Sequence, residues 1–309
     1  MNRGLCRKLL VGLGICAAFL PGRGLCQGME VLRAEHLMDF RADFNQPTEV
    51  ALGEEGEIFV LDGVNGQVKV IDERGRFLRA IGSPGEGEGQ LREPVGMDLD
   101  SRGNVYIADT GNRRLQVFNS SGGYLRTIDL DPLKARPVDV LIAEQEGSLY
   151  VSDKQGHRIL VLTLSGAFVS SWGEYGENPG EFRFPGMMAL DGERRIYVVD
   201  VLNTRIQVFN AGGGRIGQIG DWGVTAGKLF RPKGVALGPD ATVYVADSYT
   251  GAIQAFERTG AYRGILTDPL GRILRLTTPV GMAFDRKGRL YVVQMEINQV
   301  SVFRIGAAE

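Results

Sequence analysis

Pro94-Val-Gly-Met-Asp-Leu-Asp100, Asn104-Val-Tyr-Ile-Ala-Asp109 and Arg114-Leu-Gln-Val-Phe118 make up one phrase, which this chain writes six times between Phe44 and Ile305. The Asp that ends its second part recurs at Asp62, Asp109, Asp153, Asp200 and Asp247, and Gln294 takes the sixth place. Successive intervals are therefore 47, 44, 47, 47 and 47 residues. A period in the forties with several short strands per unit implies a propeller, because one such unit cannot cover its own faces and neighbours around a ring can. The sequence predicts an all-β fold: a six-bladed β-propeller of four-stranded antiparallel blades.

Each unit opens at or near a proline, runs through an apolar strand and turns at a Gly-containing polar segment. It continues into a second strand such as Arg195-Ile-Tyr-Val-Val. Those second strands are apolar on both faces, as a sheet covered on both sides requires. A turn after the Asp leads to a third strand (Ile206-Gln-Val-Phe) and a Gly turn to a fourth (Phe168-Val-Ser-Ser-Trp). The linkers repeat as well. Gly82 and Gly89, Gly173 and Gly180, and Gly220 and Gly227 are each seven apart, followed by Leu91, Phe182 or Leu229 and then Pro94, Pro185 or Pro232. Glycine permits left-handed bends there, and proline starts an inner strand without offering an N–H.

On these residues the chain resembles the NHL-repeat family of six-bladed propellers. The likeness covers about residues 44–305 and rests on the linker, the Tyr-x-x-Asp strand end and the Arg-x-Gln-Val-Phe strand together. Asp109, Asn112 and Arg114, and Asp200, Asn203 and Arg205, carry its fuller form. Because the set recurs blade after blade, it reads as a turn support rather than an active site. The sixth unit stops after its third strand at Phe303-Arg-Ile-Gly, while His36-Leu-Met-Asp-Phe-Arg looks like a fourth strand without a blade. An N-terminal segment, residues 27–43, is therefore expected to complete the last blade, with six blades over 44–309. Such an overlap removes an exposed sheet edge.

Residues 1–26 carry Arg3, Arg7 and Lys8, then a 12-residue apolar run from Leu9 to Leu20, then Pro21 and small residues. This reads as a secretory signal peptide, its apolar run shorter than the roughly 18 residues of a membrane span. The expected location is exported, periplasmic or extracellular, with no membrane span after signal removal. Without that leader, 31 basic side chains face 37 acidic ones, a net of −6. Nucleic acid is thus no expected partner, since phosphate binding needs concentrated positive charge. Cys6, Cys16 and Cys26 all lie in the leader, so the folded part has neither a disulfide nor a thiolate metal site.

Function is sought where the repeat departs from itself. The second residue after the opening proline is Gly96, Gly234 and Gly281 in three units, but Glu49, Asp139 and Met187 in the others. Thr48 and Lys233 stand beside them. Thr48, Glu49, Asp139, Met187 and Lys233 are the channel candidates, suited to a small polar ligand; no cofactor is expected, although a divalent cation such as calcium would find oxygen ligands there. Related propeller enzymes hold zinc through channel histidines, and the two here, His36 and His157, fall in the closing strand and a turn. Gluconolactonase-like propellers hold a divalent metal with Glu, Asn and Asp, which Glu49 and Asp139 echo. A second surface carries apolar tips on turns and linkers: Tyr175, Leu202, Trp222, Tyr249 and Met295. Clustered exposed aromatics mark partner sites. The reading favoured is a non-enzymatic protein-binding scaffold whose partner is a protein or extended polypeptide. The alternative is a divalent-metal-dependent lactonase-like or hydrolase-like enzyme with its site in the channel.

Overall fold

The computed structural model describes residues 32–307, so the leader lies outside the described residues. Six four-stranded antiparallel sheets follow one another around a central channel. The inner strands begin at or just after the repeated proline: Pro47–Leu52, Met97–Leu99, Pro137–Ala143, Pro185–Leu190, Pro232–Leu237 and Pro279–Phe284. The second strands, such as Val105–Asp109 and Ile196–Asp200, are buried along their whole length.

The core divides into six clusters, one at each blade junction. Phe59, Leu61, Val68 and Ile81 of blade one meet Met97, Val105, Ile107 and Phe118 of blade two. The same arrangement joins blades two and three, three and four, four and five, and five and six. Blade six meets blade one through Val293, Val300 and Val302 against Val50, Val60 and Ile71. Every blade is thus covered on both faces, which is why its second strand carries no polar alternation.

The ring is closed by the N-terminal strand Leu32–Phe40. It pairs antiparallel with Gln299–Ala307, from Leu32 opposite Ala307 to Phe40 opposite Val300, with a bulge between His36 and Met38. It also makes two parallel pairs with blade five, Leu32 with Leu266 and Arg33 with Thr267. Blades five and six thereby become one continuous eight-stranded sheet.

The repeated Asp supports each turn. One oxygen of Asp109 accepts the Arg92 N–H at 2.7 Å; the other accepts Asn112 Nδ2 at 2.8 Å and Arg114 Nε at 2.7 Å. Asp200 does the same with the Arg183 N–H, Asn203 and Arg205. In blade one Gln67 holds the Arg position, and Lys69, standing where blades two and four have Gln116 and Gln207, reaches Asp62 at 3.1 Å. In blade six Gln294 keeps the backbone contact, its Oε1 accepting the Thr277 N–H at 2.8 Å, and its amide nitrogen donates to Ser301 Oγ. Gln299 stands where blades two, three and four have Arg. These buried, fully hydrogen-bonded groups hold the chain in register.

Gly82, Gly173 and Gly220 adopt φ of 79°, 92° and 72°, and a Cβ on them would run into Leu91, Phe182 and Leu229. Those three side chains are buried and pin each linker to the blade. The turns bond to the same linkers, Asn112 Nδ2 to Gly85 O and Asn203 Nδ2 to Gly176 O, both at 2.9 Å. Linkers and Asp turns therefore share one face of the ring.

Candidate functional site

A bulge follows the proline in most inner strands: pairing shifts between Pro47 and Glu49, Pro137 and Asp139, Pro185 and Met188, Pro232 and Gly234, and Pro279 and Met282. A bulge lets two successive residues face the same side. Both the first and the second residue after the proline thus line the channel, at different depths. The consequence is two cavities of about 490 Å³ each. Glu49 and Asp139 line the inner one; Thr48 and Lys233 line the mouth on the turn-bearing face; Met187 lines both. The structure does not bring the five channel candidates into one site.

The inner cavity contains a third carboxylate, Asp98. It sits two residues beyond Gly96 on the same side of its strand, a position the alternation of a β-strand would have disclosed. Asp98 accepts the N–H of Leu99 and, across the blade junction, that of Ile142, both at 2.8 Å. Asp139 accepts Val140 N–H at 2.9 Å and, across the next junction, Met188 N–H at 2.8 Å. Glu49 accepts only its neighbour Val50 N–H, at 3.0 Å. Glu49 and Asp139 lie against Gly281 and Gly96 of adjacent blades, where a Cβ would collide with them. Each of these two carboxylates is thus met by a glycine on the preceding blade.

Burial drives all three carboxyls upward. Asp98 rises to about 6 against its backbone hydrogen bonds, and Asp139 to about 8 by burial and the charge of Asp98. Glu49 is raised well above the carboxylate range by burial and by Asp139. Desolvation disfavours the charged form, and each neighbouring carboxylate adds to it. Among the described residues no three His, Cys, Asp or Glu side chains converge as a metal cage.

The mouth cavity is different in character. Its walls include Val95, Val138, Val201 and Val280, and its polar groups are Thr48, Lys154 and Lys233. Leu202 and Met295, read from sequence as partner-face residues, line it too. Lys154 escaped the sequence reading, although the residue just after the repeating Asp varies from blade to blade and was open to inspection. Around this mouth stand the remaining tips. Trp222 is 68% exposed, Tyr175 and Tyr249 64% each, and Leu202 46%. Tyr249 stacks on Phe230 at 4.3 Å, and Tyr175 meets His157 edge-on at 5.0 Å. His157 also packs on Phe184 at 4.9 Å and accepts its N–H at Nδ1. It is a half-buried brace for two aromatic rings. Trp222 does not fold over its own linker, and no described ring contact joins it to Tyr249.

A family model described as DUF5128, 6-bladed beta-propeller, matches residues 43–141 and 138–225. The chain belongs to that family. In this 6-bladed beta-propeller the NHL likeness rests on the repeat motifs alone. No curated protein matches the chain. Among solved structures, a streptogramin B lyase is similar at 13% identity and TM-score 0.64, over 89% of this chain and 97% of that chain. A catalytically inactive virginiamycin B lyase from Staphylococcus aureus, solved with quinupristin, is similar at 14% identity and TM-score 0.63, over 89% and 87%. A structural genomics protein of unknown function from Bacteroides thetaiotaomicron reaches TM-score 0.65 at 14% identity, over 90% and 75%. At such identities the likeness is one of fold. No helix among the described residues of this propeller is long and apolar enough to cross a membrane.

Proposed function

We propose that this propeller is an exported, non-enzymatic recognition scaffold that docks a protein or extended polypeptide on its turn-bearing face. The observation that carries the reading is the exposure of Tyr175, Trp222 and Tyr249 on a rigid frame. Tyr249 is held by Phe230, and Tyr175 by His157. Trp222 N–H bonds Asp221, and Trp222 itself bridges to Leu229, which is buried. Rigid exposed aromatics supply contact area at low entropic cost. Export is inferred from the leader, and the acidic balance of the remaining chain makes nucleic acid a poor partner.

The metal-dependent hydrolase alternative has less support. The oxygens of Asp98 and Asp139 are taken by backbone N–H groups, and burial favours the protonated form of all three carboxyls. A hard cation needs several free, ionised oxygens.

The test is selection of linear peptides against residues 27–309, followed by affinity measurement on variants. Trp222→Ala and Tyr249→Ala are expected to weaken a selected peptide by about 2 kcal/mol or more each, the loss typical of central aromatic anchors. Glu49→Gln is expected to leave it unchanged. Undiminished affinity in the Trp222→Ala/Tyr249→Ala double variant would contradict the docking face.

A further inference from the structure

The mouth cavity holds two lysines that form no ion pair with a described residue. Lys154 follows Asp153 on the blade three turn, and Lys233 follows Pro232 at the start of the blade five inner strand. Both are half-buried, and neither ammonium makes a hydrogen bond or ion pair with a described residue. The nearby carboxylates are engaged elsewhere. Asp153 accepts Arg158 Nε at 3.0 Å and the Arg136 N–H at 2.8 Å; Glu93 pairs with Arg136 at 3.4 Å; Glu296 accepts the Thr278 hydroxyl at 2.9 Å. Asp247 is occupied by the N–H groups of Phe230, Arg231, Tyr249 and Thr250. The inner carboxylates act on one another, on the far side of Met187.

Thr48 lines the same cavity, and its buried Oγ1 has no hydrogen-bond partner. Buried polar groups are nearly always satisfied, so an orphan hydroxyl on a residue that shares a cavity with two lysines lacking ion pairs points to a ligand there. Burial lowers the pKa of Lys154, and Arg136 and Lys233 lower it further, with Glu93 opposing them in part. Burial and Arg231 lower that of Lys233. An anion relieves every one of these costs; a cation adds to them.

We propose that this cavity binds a small organic acid, with its carboxylate held by Lys154, Lys233 and the Thr48 hydroxyl, and its apolar body against Val95, Val138 and Met187. The apolar walls select against a phosphate, whose strongly hydrated oxygens would find only three donors there. The volume of about 490 Å³ falls within the range of small-molecule sites, roughly 300–1,000 Å³. Leu202 and Met295 belong both to this cavity and to the turn-bearing face, but the acid site needs neither Tyr249 nor a bound peptide.

Titration calorimetry of residues 27–309 with octanoate, octanamide and acetate tests it. Octanoate is expected to bind with one site per chain. Octanamide, which keeps the body and loses the charge, is expected to bind about tenfold more weakly or worse, and acetate, which keeps the charge and loses the body, likewise. Lys154→Met and Lys233→Met each keep the apolar stem and are expected to weaken octanoate by about tenfold, with a melting temperature unchanged or raised. Lys233→Gln serves the same purpose if a Met variant fails to fold. Tyr249→Ala is expected to bind octanoate as the parent does, while losing selected peptides. Equal affinity for octanoate and octanamide, undiminished octanoate binding in the double lysine variant, or no binding at millimolar octanoate would each overturn the proposal.

Discussion

A chain beginning at Arg41 is expected to lose its cooperative unfolding transition. The strand Leu32–Phe40 is the outer strand of blade six, and removing it leaves Gln299–Ala307 as a bare edge. It buries Leu32 and Ala34 in the junction of blades five and six, and Phe40 in that of blades six and one. Phe40 further packs on Gly75 of blade one, where a Cβ would collide with it. Polar ties go with it: Ser301 Oγ donates to Asp39 at 2.6 Å, and Arg304 pairs with Glu35 at 2.7 Å. At about 1.5–3 kcal/mol for each large buried apolar side chain, plus the ladder hydrogen bonds, the loss is comparable to a whole domain's stability of about 5–15 kcal/mol. The exposed edge also invites aggregation. Thermal unfolding by circular dichroism, with a synthetic peptide of residues 31–43 added to the truncated chain, checks this. The peptide is expected to restore the transition. A truncated chain that melts within a few degrees of the parent would refute the closure argument.

Between pH 5 and pH 8 the domain is expected to lose stability, by an amount on the order of a few kcal/mol. The folded pKa values of Glu49, Asp98 and Asp139 all lie above their unfolded values, Asp98 near 6 and Asp139 near 8. The folded state therefore holds more protons than the unfolded state across this window, and unfolding free energy falls as pH rises. The penalty is absent below the ordinary carboxylate range and complete once the raised carboxyls have ionised. Carboxylates with lowered pKa, such as Asp72 and Asp268 beside Arg76 and Arg272, act in the opposite sense but only at lower pH. The lysines of the mouth, lowered by burial, act in the opposite sense, below the ordinary lysine range. Urea unfolding at a series of pH values measures the slope. Asp139→Asn is expected to flatten it, because the amide stays neutral and still offers one oxygen to the Val140 or Met188 N–H. An identical slope in Asp139→Asn would show that the cluster is not its source.

The architecture was legible because each blade repeats the same physical solution. Asp62 through Asp247 mark the turns, the paired glycines mark the linkers, and the surplus strand at His36 against the short end at Phe303 discloses the closure. The leader reading concerns residues outside the described part. The site was less legible. Thr48 and Glu49 are neighbours in sequence, but the bulge after Pro47 sends them to different cavities. Nothing in the residue order announces that bulge. Asp98 was within reach of strand alternation, and Lys154 within reach of a comparison among residues that follow the repeating Asp. The pairing of Lys154 with Lys233 across two blades was not, since it depends on ring geometry rather than on spacing. His157, placed by the sequence in a turn, braces Tyr175 and Phe184, a role set by the linker 18 to 27 residues away.

Hydrogen exchange of the domain with and without a selected peptide tests the docking face most directly. Slower exchange is expected in the linkers 173–182 and 220–229 and in the turn 247–251, where Tyr175, Trp222 and Tyr249 stand. Protection confined to the hairpin turns of the opposite face, at 100–104, 191–195 and 238–242, with the linkers unchanged, would contradict it.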